Sequence, residues 1–396
     1  MLSCQLNSLA TDNEMSDSNS VLTRIPAEIW RRILLEVMHI PYLLDATCTG
    51  SLFELWNALD YPEPRWRRSE WQRKLLRRVC KSWKHFAETQ AYRSIDCKDC
   101  LKKPHILAHA RRAQLTESLK HMFTVLTLWE VVEIDEAYPV DEFLVSIVQG
   151  YHPRLRRLNM HANMSIVYAA CESAAFHQLT FLHLRFPTGS LQTATLIHTE
   201  LPRLEVLIWE DFAAGFDPSS IFRLPTLHHF GWSNLIGVFP LSTFLSYART
   251  LRSLSIRNSY WLRGYSVLPN LNELPCLEEF SIIGTFKIKD SKPFPPTYPL
   301  HTIYLGRPFS ISRLVPCVMQ VLDCNPMKLR RIHITGLVWE HGGEPENFWD
   351  HKEKIQILQL AEMCQGRGIR LEDSSGRVRC EMPPEVELRD FAIWCV

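Results

Sequence analysis

The sequence predicts an α/β chain in which a small helical module precedes a long repeat solenoid. Parallel strands should line the concave face of the solenoid, with helices and irregular turns on its convex face. Two observations carry this expectation. A short apolar pattern recurs at nearly constant spacing from about residue 155 to residue 334, and two apolar-striped helical stretches sit before residue 91.

The recurring pattern is apolar-x-x-apolar-x-apolar. It stands at Leu155-Leu158-Met160, Leu179-Leu182-Leu184, Leu204-Leu207-Trp209 and Leu227-Phe230-Trp232. It returns at Leu251-Leu254-Ile256, Leu277-Phe280-Ile282, Leu300-Ile303-Leu305 and Leu329-Ile332-Ile334, with an earlier copy expected at Phe123-Leu126-Leu128. From Leu158 to Ile332 the middle residues are spaced by 24, 25, 23, 24, 26, 23 and 29 positions. Alternation along each short strand turns these residues inward and their neighbours outward. Stacked copies then bury a continuous core that a single copy cannot form. The period and strand signature are similar to those of a leucine-rich repeat. The Asn that usually ends the strand motif is largely absent, which resembles the irregular repeats of F-box proteins.

Between the strands, Asp141–Gln149, Ser165–Ala175, Phe244–Arg249 and Ile311–Asp323 read as helices, and Pro153, Pro202, Pro225, Pro275 and Pro299 stand in loops that precede strands. Tyr92–Asp96 reads as a first short strand and Pro104–Met122 as a helix leading into the copy at Leu126. At the other end His351–Cys364 reads as a helix and Ile369–Leu371 as a last strand, after a loop at Gly342-Gly343. The repeat domain is therefore placed at residues 91–373. Residues 374–396 form a polar tail whose Phe391–Cys395 suits a cap.

Ahead of the repeat, residues 1–20 are a Ser/Asn/Asp-rich leader expected to be disordered, and residues 21–90 form the helical module. Its first helix runs through Ile25–Val37: Pro26 suits the first turn, Glu28 lies near the positive end of the helix dipole, and Ile29, Ile33 and Val37 recur every four residues. A second helix is expected over Trp71–Ala87, with Leu75, Leu76, Val79, Cys80, Trp83, Phe86 and Ala87 as its apolar stripe. Arg73, Lys74, Arg77, Arg78, Lys81 and Lys84 occupy the other side and read as a solvated face. Continuous secondary structure into the repeat implies a module packed against the solenoid.

Ile25-Pro26-Ala27-Glu28-Ile29, followed downstream by Arg78-Val79-Cys80-Lys81-Ser82-Trp83, resembles the F-box. The stretch 41–70, with Trp56, Tyr61, Trp66, Pro41, Pro62 and Pro64, widens the spacing between these blocks, as in the large F-box families of mushroom-forming fungi. The resemblance implies docking on the Skp-type adaptor, and through it a cullin, of a Skp–cullin–F-box ubiquitin ligase. By position Ile25, Pro26, Ile29, Ile33, Val79, Cys80 and Trp83 would touch that adaptor; the same residues also suit the module's own core.

Outward strand positions should then receive a target protein: Arg157, His161, Phe181, His183, Arg185, Glu210, His229, Arg257, Tyr304, Arg331 and His333. Arginine and aromatic side chains at such places suit protein recognition. Lys+Arg at 44 against Asp+Glu at 43 gives no electrostatic case for nucleic acid or an anionic membrane. No signal-peptide pattern or membrane-length apolar run is found, which makes a cytoplasmic or nuclear protein the expectation. The 12 cysteines are scattered, with Cys80, Cys171, Cys276 and Cys317 in apolar runs, and read as buried thiols.

Cys97, Cys100, His105 and His109 have partial zinc-like spacing but lack the final Cys and the glycines of a zinc knuckle, so no metal or other cofactor is expected. Phosphate-loop, dinucleotide, G-x-S-x-G and H-E-x-x-H motifs are absent. The reading is a non-enzymatic adaptor of a ubiquitin ligase. The alternative is a repeat scaffold outside any ligase, with the helical module as its N-terminal cap.

Overall fold

The computed structural model describes residues 26–38, 51–53, 71–72, 74–91, 94–96, 118–121, 155–161, 177–186, 199–211, 218–234, 246–258, 266–268, 271–283, 286–288, 293–306, 311–324, 326–339, 345 and 351–379. Eleven strands form one sheet: β1 (Ser94–Asp96), β2 (Ser118–His121), β3 (Arg157–His161), β4 (Phe181–Phe186), β6 (Val206–Asp211), β8 (His229–Asn234), β9 (Ser253–Asn258), β11 (Glu279–Ile283), β13 (Thr302–Leu305), β14 (Arg331–Ile334) and β15 (Arg370–Glu372). They stack in chain order and every neighbouring pair is parallel, so the molecule is a parallel β-solenoid. Return segments pair as well, β5 (Thr199–Glu200) with β7 (Phe222–Arg223) and β10 (Ser266–Leu268) with β12 (Phe286–Ile288).

All eight copies of the pattern from Leu155 to Ile334 end in strands of this sheet, in register. Leu158, Leu182, Leu207, Phe230, Leu254, Phe280, Ile303, Ile332 and Leu371 stand side by side as one row, and all are buried. Leu184, Trp209, Trp232, Ile256, Ile282, Leu305 and Ile334 make the second row of the same core. The helices α3 (Ile311–Asp323) and α4 (His351–Gly366) close that core with Val318, Val321, Leu322, Ile357, Leu360 and Cys364. Gly368, at φ 69°, ends α4 in the left-handed conformation that a side chain disfavours, while Ile369 N–H donates to the Cys364 carbonyl at 2.8 Å.

The turns explain why the strands begin where they do. Leu201-Pro202-Arg203-Leu204, Leu224-Pro225-Thr226-Leu227 and Leu274-Pro275-Cys276-Leu277 each close with the last N–H donating to the first carbonyl, at 3.2, 3.3 and 3.1 Å. The residue just before each strand then offers one carbonyl to two consecutive N–H groups of the next repeat. Thr180 O accepts from Glu205 and Val206, Glu205 O from His228 and His229, and Arg252 O from Glu278 and Glu279. Two tyrosines tie neighbouring repeats together: Tyr247 Oη donates to Phe222 O at 2.8 Å and Tyr298 Oη to Leu271 O at 2.7 Å, each one repeat upstream. Burial pushes the Tyr298 hydroxyl upward in pKa, with Cys276 adding to the effect, which keeps it a donor.

Three expectations need correction. The strand that pairs with β3 is Ser118–His121, with Leu119 opposite Leu158, inside the helix expected over Pro104–Met122, while the copy expected at Phe123-Leu126-Leu128 lies outside the described residues. The single helix expected over 71–87 breaks: 74–76 is helical, 77–79 is a turn, and α2 spans Lys81–Ala91. Cys80 caps α2, its Sγ accepting Trp83 N–H at 3.5 Å and its carbonyl Lys84 N–H at 2.9 Å. Cys80 is consequently exposed, not a buried thiol, whereas Cys324 and Cys364 are buried and Cys276 half-buried. Burial pushes the Cys364 thiol up to about 12, with Arg367 pulling the other way.

The helix expected over Ile311–Asp323 is present, and that expected from His351 extends to Gly366. Asp141–Gln149, Ser165–Ala175, the leader 1–20 and Phe391–Cys395 lie outside the described residues.

Candidate functional site

The sheet face opposite the core carries the residues that the alternation assigns to it. From β3 to β15 its central row is Asn159, His183, Ile208, Gly231, Ser255, Ser281, Tyr304, His333 and Glu372. Most of this face is closed to solvent, contrary to the open surface expected. Arg157, Phe181, His183, Glu210 and Tyr304 are buried, and His229, Arg257, Arg331, His333 and Arg185 are partly buried. His161 lies on β3, with its side chain outside the described set.

Two charged clusters organise the face. At one, Glu210 receives His183 Nε2 at 2.9 Å and the Arg185 guanidinium. Burial alone would raise the Glu210 pKa, but the charge and hydrogen bond of His183, followed by those of Arg185, hold it far below the ordinary carboxylate range. Beside them the Arg157 guanidinium lies 3.8 Å from the centre of the Phe181 ring. At the other cluster, Glu372 faces Arg331 Nε at 2.9 Å, Arg370 Nε at 3.5 Å and His333 Nδ1 at 3.9 Å, and Arg331 donates to Tyr304 Oη at 3.0 Å. The two clusters thus sit near opposite ends of the central row, separated by Gly231, Ser255 and Ser281.

An element absent from the repeat pattern also lies on this face. Ser51, Leu52 and Phe53, from the stretch between the two helical blocks, are buried, and the Phe53 ring stacks on Tyr304 with centroids 4.9 Å apart. Sequence reasoning gave this tripeptide no role, because nothing local marks a Leu-Phe pair for a strand more than 200 residues away. Glu372 and Asp373 were missed likewise. Asp373 is buried at the end of β15, where it accepts N–H groups of Trp339, Ser375 and Arg377 and the Ser375 hydroxyl. Burial opposes its ionisation, yet these bonds, led by the Ser375 hydroxyl, leave its pKa lowered.

The second surface belongs to the helical module. Helix α1 (Ala27–Met38) starts after Pro26, whose carbonyl accepts the N–H groups of Ile29 and Trp30 at 3.0 and 3.1 Å. Leu34, Leu76 and Ala87 form a small core flanked by Trp83 and Phe86, and Trp83 lies 5.5 Å from Trp30 between ring centroids. Trp83 is therefore partly a core residue. Ile29, Ile33, Trp71, Leu75 and Val79 are exposed, as are Pro26 and Cys80, while Ile25 lies outside the described residues. Arg31, Arg32, Lys74, Arg77, Arg78, Lys81 and Lys84 are exposed around them.

No protein-family model matches the chain, and no curated protein matches it in sequence. Among the described residues no group of three or more His, Cys, Asp or Glu is placed to hold a metal ion; Cys97, Cys100, His105 and His109 lie outside them. No helix among the described residues is long and apolar enough to cross a membrane.

Proposed function

We propose that this chain is a non-catalytic adaptor of a Skp–cullin–F-box ubiquitin ligase. Its helical module docks on the Skp-type adaptor, and its solenoid holds a target protein while other subunits transfer ubiquitin. The observation that carries the reading is the exposure of Ile29, Ile33 and Val79 on a module whose core, among the described residues, is Leu34, Leu76 and Ala87 with two flanking aromatics. Small modules with surplus apolar surface are suited to docking on a partner. These three are also positions that the resemblance to the F-box assigns to the adaptor. The basic residues around them favour an acidic partner surface.

The test is co-purification of the intact chain with a Skp-type adaptor. Ile33→Lys combined with Val79→Lys changes two exposed side chains and spares the core, so it should abolish capture while the melting temperature holds. Capture by that variant at the wild-type level sinks the reading.

A second reading, a repeat scaffold outside any ligase, draws support from Phe53 stacked on Tyr304, which joins the stretch between the two helical blocks to the solenoid. Absence of any adaptor or cullin capture by the folded wild-type chain selects it.

A further inference from the structure

The outer face of the solenoid is shaped for a chain segment, and one is already seated there. In the central row Gly231, Ser255 and Ser281 stand side by side on β8, β9 and β11, followed by Tyr304 on β13 and His333 on β14. All three small residues are buried although they point away from the core rows. A glycine inside a strand, as at Gly231, often marks a place where another backbone approaches closely, and the two serines beside it keep the floor low. Tyr304 then ends the low floor with an aromatic wall, and the Arg331 guanidinium lies 5.1 Å from the centre of that ring.

Against this wall sits Phe53, its ring at 20° to Tyr304 and 6.2 Å from the His333 ring centroid. Leu52 is fully buried, and the Ser51 hydroxyl accepts the Phe53 N–H at 3.1 Å, capping the helical residues Leu52 and Phe53. Apolar burial of the Leu-Phe pair and an offset ring stack supply the attraction.

We propose that this lane is a peptide-binding site whose internal occupant is Ser51-Leu52-Phe53. A partner segment that presents a hydroxyl residue followed by an aliphatic–aromatic pair binds by displacing it. The inference rests on the target-binding half of the reading above and is independent of adaptor docking. A tethered occupant competes at an effective concentration of about millimolar. A free peptide therefore meets a site that is open only in a small fraction of molecules, and its apparent affinity falls by that fraction.

The probe is a fluorescein-labelled synthetic peptide of residues 49–57, titrated into the full chain and read by anisotropy. The variant Leu52→Ser with Phe53→Ala should bind it at least tenfold more tightly than the wild type. Adding Tyr304→Ala to that variant should weaken binding at least tenfold. Equal affinity for wild type and variant, binding by neither, or indifference to Tyr304→Ala overturns the proposal. Should the variant fail to fold, amide exchange on the wild type decides the matter. Millimolar unlabelled peptide should speed exchange at 51–53 and leave β13 protected, and unchanged exchange at 51–53 overturns the proposal. Adaptor capture is measured on the same proteins without peptide, so its loss or persistence reports on the docking half alone.

Discussion

In the solenoid, Leu182, Leu207, Phe230, Leu254 and Phe280 form an unbroken buried row, whereas in the helical module Ile29, Ile33, Trp71, Leu75 and Val79 are each 41–61% exposed. Both regions have similar apolar side chains; what differs is who covers them. Each repeat has a neighbour on either side, so its strand residues are sealed by the residues before and after in the stack. The module has only two described helices and a short helical stretch to fold on themselves, and part of its apolar stripe stays outside. A partner covering those five side chains would recover on the order of 1 kcal/mol from each before the costs of association. The core rows of the solenoid are thus sealed within the stack, whereas the exposed apolar side chains of the module are the surface to which the docking proposed above is assigned.

The largest expected effect tests that contrast directly. Trp209→Ala empties a fully buried position in the second core row and should cost about 3–5 kcal/mol in urea unfolding followed by circular dichroism. Leu34→Ala, in the module core, should leave the solenoid midpoint where it is. A common shift in both variants would show that the two regions unfold as one.

Next comes the buried charge cluster. Glu210→Gln leaves Arg185 without its counter-charge and removes the carboxylate partner of His183, and should cost about 3 kcal/mol at neutral pH. The Glu210 pKa is lowered in the folded state, so this contribution is fully present above the ordinary value of 4.5. It declines as pH falls below that value, and the gap between wild type and variant should narrow accordingly in acid.

His229 has the opposite origin. Burial, with His228 and Arg252 adding repulsion, lowers it from 6.5 to about 4, so the unfolded state binds the proton first. Stability should fall as pH drops from 6.5 toward about 4, by at most about 3 kcal/mol, and His229→Gln should flatten that slope.

Smaller again, Tyr298→Phe removes the hydroxyl that reaches Leu271 O and should cost about 1 kcal/mol. The smallest stability effect belongs to the module surface. Ile33→Lys with Val79→Lys should change the unfolding free energy by no more than about 0.5 kcal/mol, while the proposed docking predicts loss of adaptor capture.

How much of this was legible beforehand follows the same division. The strands β3, β4, β6, β8, β9, β11, β13 and β14 could be read because each ends one copy of a local pattern spaced by 23–29 residues, whereas the short β5, β7, β10 and β12 carry no such copy. The strand β2 could not, because 39 residues separate Leu119 from Leu158, and Leu126 lies closer to the nominal period. Outward positions followed from alternation, but their burial did not. Closure of that face depends on contacts such as Phe53 with Tyr304, which no periodicity announces. The break at residues 77–80 was likewise hidden, since Cys80 continues the apolar stripe while its sulfur and carbonyl cap a new helix.

The seam carbonyls that each accept two N–H groups bear on how the chain assembles. Joining neighbouring repeats closes a loop of roughly constant length, with the middle core residues 23–29 positions apart across most of the stack and 39 apart from Ile332 to Leu371. Closure entropy rises only with the logarithm of loop length, so lengthening a loop from 24 to 39 residues adds about 0.4 kcal/mol. Insertions between strands, such as the α4 segment before β15, are therefore nearly neutral for assembly. Such a chain can lengthen its outer loops without reworking its sheet, and its seams can propagate from any repeat already in place.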